Sequence, residues 1–69
     1  MRVNELMARV EDKEVVCLHL GGTGIIDYKK GIMKDSRYKG NHVGDWFVTD
    51  ISVQEMNKLL VLAVTACRP

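Results

Sequence analysis

The sequence is poor in the residues that mark secreted, fibrous or membrane-spanning proteins. It has one proline, Pro69, and two cysteines, Cys17 and Cys67, whereas small disulfide-stabilised domains usually carry four or more cysteines. The longest apolar run, Leu59 to Val64, is about a third of a membrane span. The first ten residues mix charged and apolar side chains and lack the continuous apolar segment of a secretory signal. We therefore expect a cytoplasmic protein with free thiols and no membrane contact.

Neither sign of charge is in clear excess, and the chain is short. Ten basic and nine acidic residues leave a formal net charge of +1, which excludes a chain-wide attraction to nucleic acid or to a membrane surface. Hydrophobic residues make up 46% of the sequence, which is typical of a folded chain and not of a disordered one. A length of 69 residues has room for one hydrophobic core. We predict a single small domain over residues 1–69.

The first part of the chain predicts a helix followed by two strands. Apolar residues between Val3 and Val10 recur at helical spacing, and Asn4 is placed to cap that helix. The β-branched and apolar run Glu14 to Leu20 is long enough for a buried strand, and its side chains alternate between the two faces. Three glycines between Gly21 and Gly24 favour a tight turn into a second strand, about Ile25 to Met33. Charge within that second strand indicates a bulge or an edge position.

The middle of the chain predicts a loop and a third strand. Polar residues and glycines between Lys34 and Gly44 indicate an exposed loop, and the alternation from Asp45 to Ile51 indicates a strand. Trp46 and Phe47 are adjacent in that strand, so only one of the two rings can face the core. The other ring is then left exposed, or is covered by the C-terminal segment.

The final segment has two interpretations. A capping-box match at Ser52 and Glu55, with helical spacing of apolar residues, favours one helix from Val53 to about Thr65. A high content of apolar and β-branched residues favours instead a helical turn at Val53 to Asn57 and then a strand from Leu59 to Ala66. We predict the second arrangement. The predicted fold class is α+β, with an N-terminal helix packed on a small, mostly antiparallel sheet of three or four strands and a short helical turn before the last strand.

These elements carry three short patterns and a final apolar run. They are a helix with Val3, Glu5 and Leu6, a strand with Asp12, Val15 and Val16, a strand end with Val48, Asp50 and Ile51, and the run Leu59 to Val64. In this order they resemble short phage- or prophage-encoded proteins, which are small accessory factors. Some short phage proteins inhibit host defence systems, so the resemblance implies binding to a host protein in the bacterial cytoplasm, and its inhibition. It transfers no functional residue to this chain.

The strongest compositional feature is a basic segment from Asp27 to Lys39. It holds five basic residues against two acidic ones. The basic residues, followed by a histidine and two tyrosines in or beside the segment, are Lys29, Lys30, Lys34, Arg37, Lys39, His42, Tyr28 and Tyr38. Lysines that hold phosphates and rings that stack on bases are usual components of nucleotide and nucleic-acid surfaces. The alternative is a solvated loop whose lysines keep an edge strand from pairing with other chains.

The glycine-rich turn and the cysteines offer further candidate sites. The turn lacks the spacing of dinucleotide and Walker loops, which favours a simple hairpin turn over a phosphate cradle. Cys17 and His19 lie two apart on one strand face, with His42 and Cys67 as conceivable further zinc ligands, but no Cys-x-x-Cys pair is present. A nucleophile and base at that spacing are about 7 Å apart at the backbone and lack a third orienting group. We predict no metal, no cofactor and no enzymatic activity.

Two hypotheses about function follow. We predict a non-enzymatic interaction module that binds a host protein, or a second copy of itself, through Trp46, Phe47, Tyr28 and Tyr38, because aromatic side chains dominate interface energetics. The alternative is an oligomeric nucleotide- or nucleic-acid-binding protein that uses the basic segment. The first hypothesis requires exposed rings, and the second requires cations that are free to meet phosphate.

Overall fold

The chain folds into a four-stranded sheet with short helices packed on one face. The computed structural model describes all 69 residues. The elements are α1 (Val3–Met7), β1 (Val15–His19), β2 (Gly24–Tyr28), α2 (Lys29–Lys34), α3 (Ser36–Gly40), a 3₁₀ turn (Val43–Asp45), β3 (Phe47–Met56) and β4 (Leu59–Cys67). The strand order is β2-β1-β4-β3, in which β1 and β4 pair in parallel and the two outer pairs are antiparallel. The predicted α+β class is confirmed, and none of the helices has the length and hydropathy of a membrane span.

The hydrophobic core lies between the helices and one face of this sheet. Alternate residues of the two central strands, Val16, Leu18 and Val64, point into it and are fully buried. The other buried members of the core are Val3, Met7, Ile25, Ile32, Tyr38, Val43, Trp46 and Ala66. All helical elements contribute to this one cluster, so they share a single layer above the sheet.

Helix α1 is shorter than predicted and has a different cap. Its N-cap is Arg2, whose backbone N–H donates to the Glu5 carboxylate at 3.0 Å, and not Asn4. The Asn4 side chain instead accepts a hydrogen bond from the Tyr38 hydroxyl at 3.4 Å. After Met7 the backbone continues in tighter turns, with the Val10 N–H donating to the Met7 carbonyl at 3.3 Å. Residues 8–10, the last part of the predicted helix, therefore lie outside α1 and lead towards β1.

The glycine-rich turn forms the predicted hairpin. Gly21 has a φ of 78°, in the left-handed region that glycine occupies without strain. The Leu20 N–H donates to the Thr23 carbonyl at 2.8 Å and closes the loop between β1 and β2. Strand β2 lies at the edge of the sheet, one of the two alternatives predicted, but Lys29 and Lys30, whose charge suggested it, lie in α2.

The prediction that the second strand continues to Met33 is wrong, because the chain enters α2 at Lys29. Ile32 is then fully buried in the core. Gly31 packs on the Asp27 carboxylate, and a larger residue there would require the Asp27 side chain to move. The glycine therefore marks a close approach between α2 and β2 and not a bulge.

The prediction of an exposed loop from Lys34 to Gly44 is also wrong. Asp35 caps α3, and its carboxylate accepts the Arg37 backbone N–H at 2.8 Å. Tyr38 and Val43 are both buried and anchor the segment to the core. The segment from Lys34 to Gly44 therefore has polar residues on its exposed side and packs on the core through Tyr38 and Val43.

A long β-hairpin forms the last part of the chain, and the predicted helical turn at Val53 to Asn57 is wrong. Strand β3 continues to Met56 and meets β4 through Asn57 and Lys58, which have φ values of 50° and 66°. Two left-handed residues give the turn whose twist matches an antiparallel hairpin. The predicted strand from Leu59 to Ala66 is confirmed as β4, at the centre of the sheet.

Candidate functional site

The four aromatic residues of the interaction hypothesis lie in two different environments. Trp46 and Tyr38 are only 7% and 5% exposed, and the Trp46 indole N–H donates to the Asn41 carbonyl at 3.1 Å. Tyr28 is 56% exposed and Phe47 is 40% exposed. These two rings lie on β2 and β3, at opposite edges of the sheet. The structure therefore does not bring the four rings into one patch.

The cations of the basic segment are also dispersed. Lys29 donates from Nζ to the Val10 carbonyl at 2.8 Å, and Arg37 makes two hydrogen bonds to the Asp35 carboxylate, at 2.8 and 3.0 Å. The Arg37 guanidinium, with the backbone bonds of this cap, lowers the pKa of Asp35 to about 2. Lys30, Lys34, Lys39 and His42 are exposed and make no ion pair. The nucleic-acid hypothesis stays a prediction, with two of its five cations already bound within the chain.

Cys17 and His19 make a contact that sequence spacing did not predict. The Cys17 Sγ lies 3.4 Å from the His19 Nε2. Burial raises the pKa of the Cys17 thiol, which keeps it protonated at neutral pH, the reverse of what an activated nucleophile needs. No third histidine, cysteine or carboxylate joins them in a group of metal-binding size. Cys67 lies exposed at the end of β4.

No family model, no curated protein and no solved structure matches this chain. The resemblance to short phage-encoded proteins therefore stays a prediction from the sequence pattern, and so does a host protein as the partner. A functional site has to be identified from the surface of the fold and the chemistry of its side chains.

The surface that sequence reasoning missed is an apolar face of the sheet. The core with its helices lies on one face, and we call the opposite face the open face. By the alternation of β1 and β4, the uncharged residues Val15, Cys17, Val61 and Ala63 point to the open face. A signal for this face was present in the sequence, because the almost continuous apolar run Leu59 to Val64 is typical of a strand that is covered on both sides.

The register of the sheet arranges the open face in three rows across the strands. Two rows, written from β2 to β3, are Ile26, Cys17, Ala63, Ser52 and Gly24, His19, Thr65, Asp50. The third row is Tyr28, Val15, Val61, Gln54, in which Val15 and Val61 lie one residue beyond the last β1–β4 pair, Val16 with Leu62. The large side chains stand on the β2 side, where Ile26 and Tyr28 are both 56% exposed. The β3 side carries the smaller or polar side chains of Ser52 and Gln54. At the centre of the face Cys17, Val61 and Ala63 are only 4%, 3% and 5% exposed, so most of its exposed apolar area lies at the edges.

The open face is almost free of charge. Within its three rows the titratable side chains besides the Cys17 thiol are the Tyr28 phenol, His19 and Asp50, and the last two share the row at one end. Cys67 follows Thr65 on this face of β4. At the other end the face continues with the exposed apolar side chains of Met56 and Leu59, which pair across the hairpin. Uncharged side chains therefore occupy most of the sheet face opposite the helices.

A second exposed apolar area lies on the helix side of the hairpin end. Val53 and Leu60, 67% and 68% exposed, line an open groove of about 430 Å³. Arg9, Glu11 and Glu14 also line this groove. Charged side chains therefore border it closely, which distinguishes it from the neutral open face.

Proposed function

We propose that the chain is a non-enzymatic interaction module that binds another protein chain through the open face of its sheet. The proposal rests on the apolar composition of a sheet face on which no helix packs. Strands β1 and β4 present apolar side chains to both faces, and helices cover one face. When one face of a sheet is in water, apolar residues that point to the core normally alternate along each strand with polar or charged residues that point to the water. Extended apolar surfaces usually mark the site where a partner binds.

The chemistry of the open face favours a protein over a polyanion as its ligand. Its only carboxylate is Asp50, and no lysine or arginine lies in its three rows, so the open face offers no cluster of cations to bind a polyanion. Binding through it is driven by removing apolar area from water and should depend weakly on salt. Binding to nucleic acid, in contrast, weakens steeply as salt rises. The resemblance to phage proteins adds a host protein to the candidate partners.

Two matched variants test the use of this face. Ile26 and Val53 are both β-branched, exposed and on edge strands, but they point to opposite faces of the sheet. Proteins captured by the tagged chain from a lysate of the encoding cell should be reduced at least about tenfold by Ile26→Glu, because a charge would be buried in an apolar contact. Val53→Glu should leave the capture unchanged. Equal capture by both variants, with unchanged circular dichroism, would refute the proposal.

A further inference from the structure

We infer that the partner on the open face is a second copy of this chain, packed sheet to sheet around a two-fold axis that runs along the strands between β1 and β4. The inference rests on the proposed function, since it uses the same face. The helices of both copies lie outside, which gives four layers in the order helix, sheet, sheet, helix. Sheets packed in this way are about 10 Å apart, with their strands within about 30° of parallel.

This axis places large side chains over small ones. Rotation about it keeps each row of the open face at its own level and reverses the strand order, so β2 of one copy lies over β3 of the other. Ile26 then faces Ser52 of the second copy, and Tyr28 faces Gln54 of the second copy. The phenol hydroxyl meets an amide that can donate to it or accept from it. An axis across the strands would place Ile26 on Ile26 and Ser52 on Ser52, which leaves a clash at one edge and a gap at the other.

The same axis also pairs the charges. The row that ends at Asp50 is reversed in the second copy, so Asp50 of that copy lies above Gly24, one strand away from His19. A carboxylate beside an imidazole attracts its protonated form and accepts a hydrogen bond from its neutral form. No two like charges face each other within the three rows. The face is therefore complementary to itself in charge as well as in size.

The size of the covered area indicates a weak pair. The proposed axis lays β2 and β1 of one copy over β3 and β4 of the other, so the two copies cover one another only along the five-residue length of β1 and β2. Five residues on each of four strands, at about 4.8 Å spacing and about 3.3 Å per residue, give a flat area of about 320 Å² per copy. With the relief of the side chains, two copies remove about 700 Å² from water, which is the size of weak and transient interfaces. We therefore expect a dissociation constant of roughly 100 µM.

Sedimentation equilibrium of the full chain, from about 1 µM to about 1 mM, tests the inference with a charge-rescue pair. The apparent mass of the wild-type chain should rise with concentration from 7.8 kDa towards twice that value. Ile26→Lys should weaken the pair at least about a hundredfold, because the introduced lysine faces a neutral surface. Adding Ser52→Asp to the same chain should restore the pair to within about tenfold of wild type, since the introduced charges meet only across the two copies. Val53→Lys is the matched control and should dimerise like wild type.

Each of the other possible outcomes contradicts one specific part of the inference. Positions 26 and 52 are three strands, or about 14 Å, apart within one chain, so rescue cannot arise inside a monomer. A dimer that Ile26→Lys weakens and Ser52→Asp does not restore overturns the proposed axis. A wild-type chain that stays at 7.8 kDa at the highest concentration overturns the second copy as partner. The proposed function still holds in that case if capture from the lysate depends on Ile26, and it fails if capture does not.

Discussion

Replacing Lys58 with glycine should stabilise the fold, because this residue has a backbone conformation that costs free energy. Its φ of 66° lies in the left-handed region. An L-residue pays roughly 1–2 kcal/mol there, and glycine pays almost nothing. Glycine also gains freedom in the unfolded chain, which offsets about 0.5–1 kcal/mol of that relief. The expected net stabilisation of Lys58→Gly is about 0.5–1 kcal/mol.

Thermal and urea unfolding measure this gain directly. At a protein concentration where the chain is monomeric, the unfolding midpoint should rise by about 2–8 °C, given the small entropy of unfolding of a domain this size. Lys58→Ala is the control, because it removes the same charge and side-chain length but keeps the left-handed strain. Asn57→Gly should gain less, since asparagine tolerates this region better than lysine. If Lys58→Gly unfolds at or below the midpoint of Lys58→Ala, the strain at this turn is not what limits the stability of the hairpin.

Two further predictions concern titration and thiol chemistry. The folded-state pKa of Asp35 lies at about 2, below its ordinary value of 3.8, so the stability contributed by its cap and by Arg37 is complete above pH 3.8 and is lost as the pH falls towards 2. The difference in thermal midpoint between wild type and Asp35→Asn should therefore shrink across that window, and a constant difference would contradict the assignment. With Ellman's reagent, the exposed Cys67 should react quickly and the buried Cys17 slowly, because burial raises the pKa of Cys17. Cys67→Ser should remove the fast phase, and a single rate for both thiols in wild type would contradict this.

The parts of the fold that the sequence predicted have strong local signals. The strand from Glu14 to Leu20, the turn from Gly21 to Gly24 and the last strand from Leu59 each combine one clear pattern with a clear boundary. Their boundaries agree with the structure to within about two residues. Alternation and glycine chemistry are properties of a few neighbouring residues, so they are visible without knowledge of the tertiary structure.

The parts that failed depend on contacts distant in sequence. Helices α2 and α3 have six and five residues, too few to form on their own, and exist because Ile32 and Tyr38 are buried against the sheet. The capping-box match at Ser52 and Glu55 is a coincidence of residue types, because pairing with β4 outweighs a helix there. No local sequence pattern distinguishes a short helix from a loop in the first case, or a strand from a helix in the second.

The candidate site was predictable only in part. The sequence indicated that only one of Trp46 and Phe47 would face the core and left open whether the other ring is exposed or covered, and Phe47 is the exposed one. It did not indicate the open face, because a face is defined by register across four strands and the sequence gives no strand order. The apolar run of β4 did carry a signal, because such a run is typical of a strand that is covered on both sides. This run becomes the middle of the open face because β4 pairs in parallel with β1, with Leu62 beside Val16.

That parallel pairing also fixes when the protein can fold during its synthesis. Leu62 leaves the ribosome 46 residues after its partner Val16. A nascent chain that stops before β4 contains the β1–β2 hairpin, which is marginal by itself, and a third strand with nothing to pair with. Formation of the sheet therefore requires the nine-residue strand β4, and a chain truncated within this strand lacks the middle of its sheet. Such a product would be a target for cellular proteases rather than a partly active module.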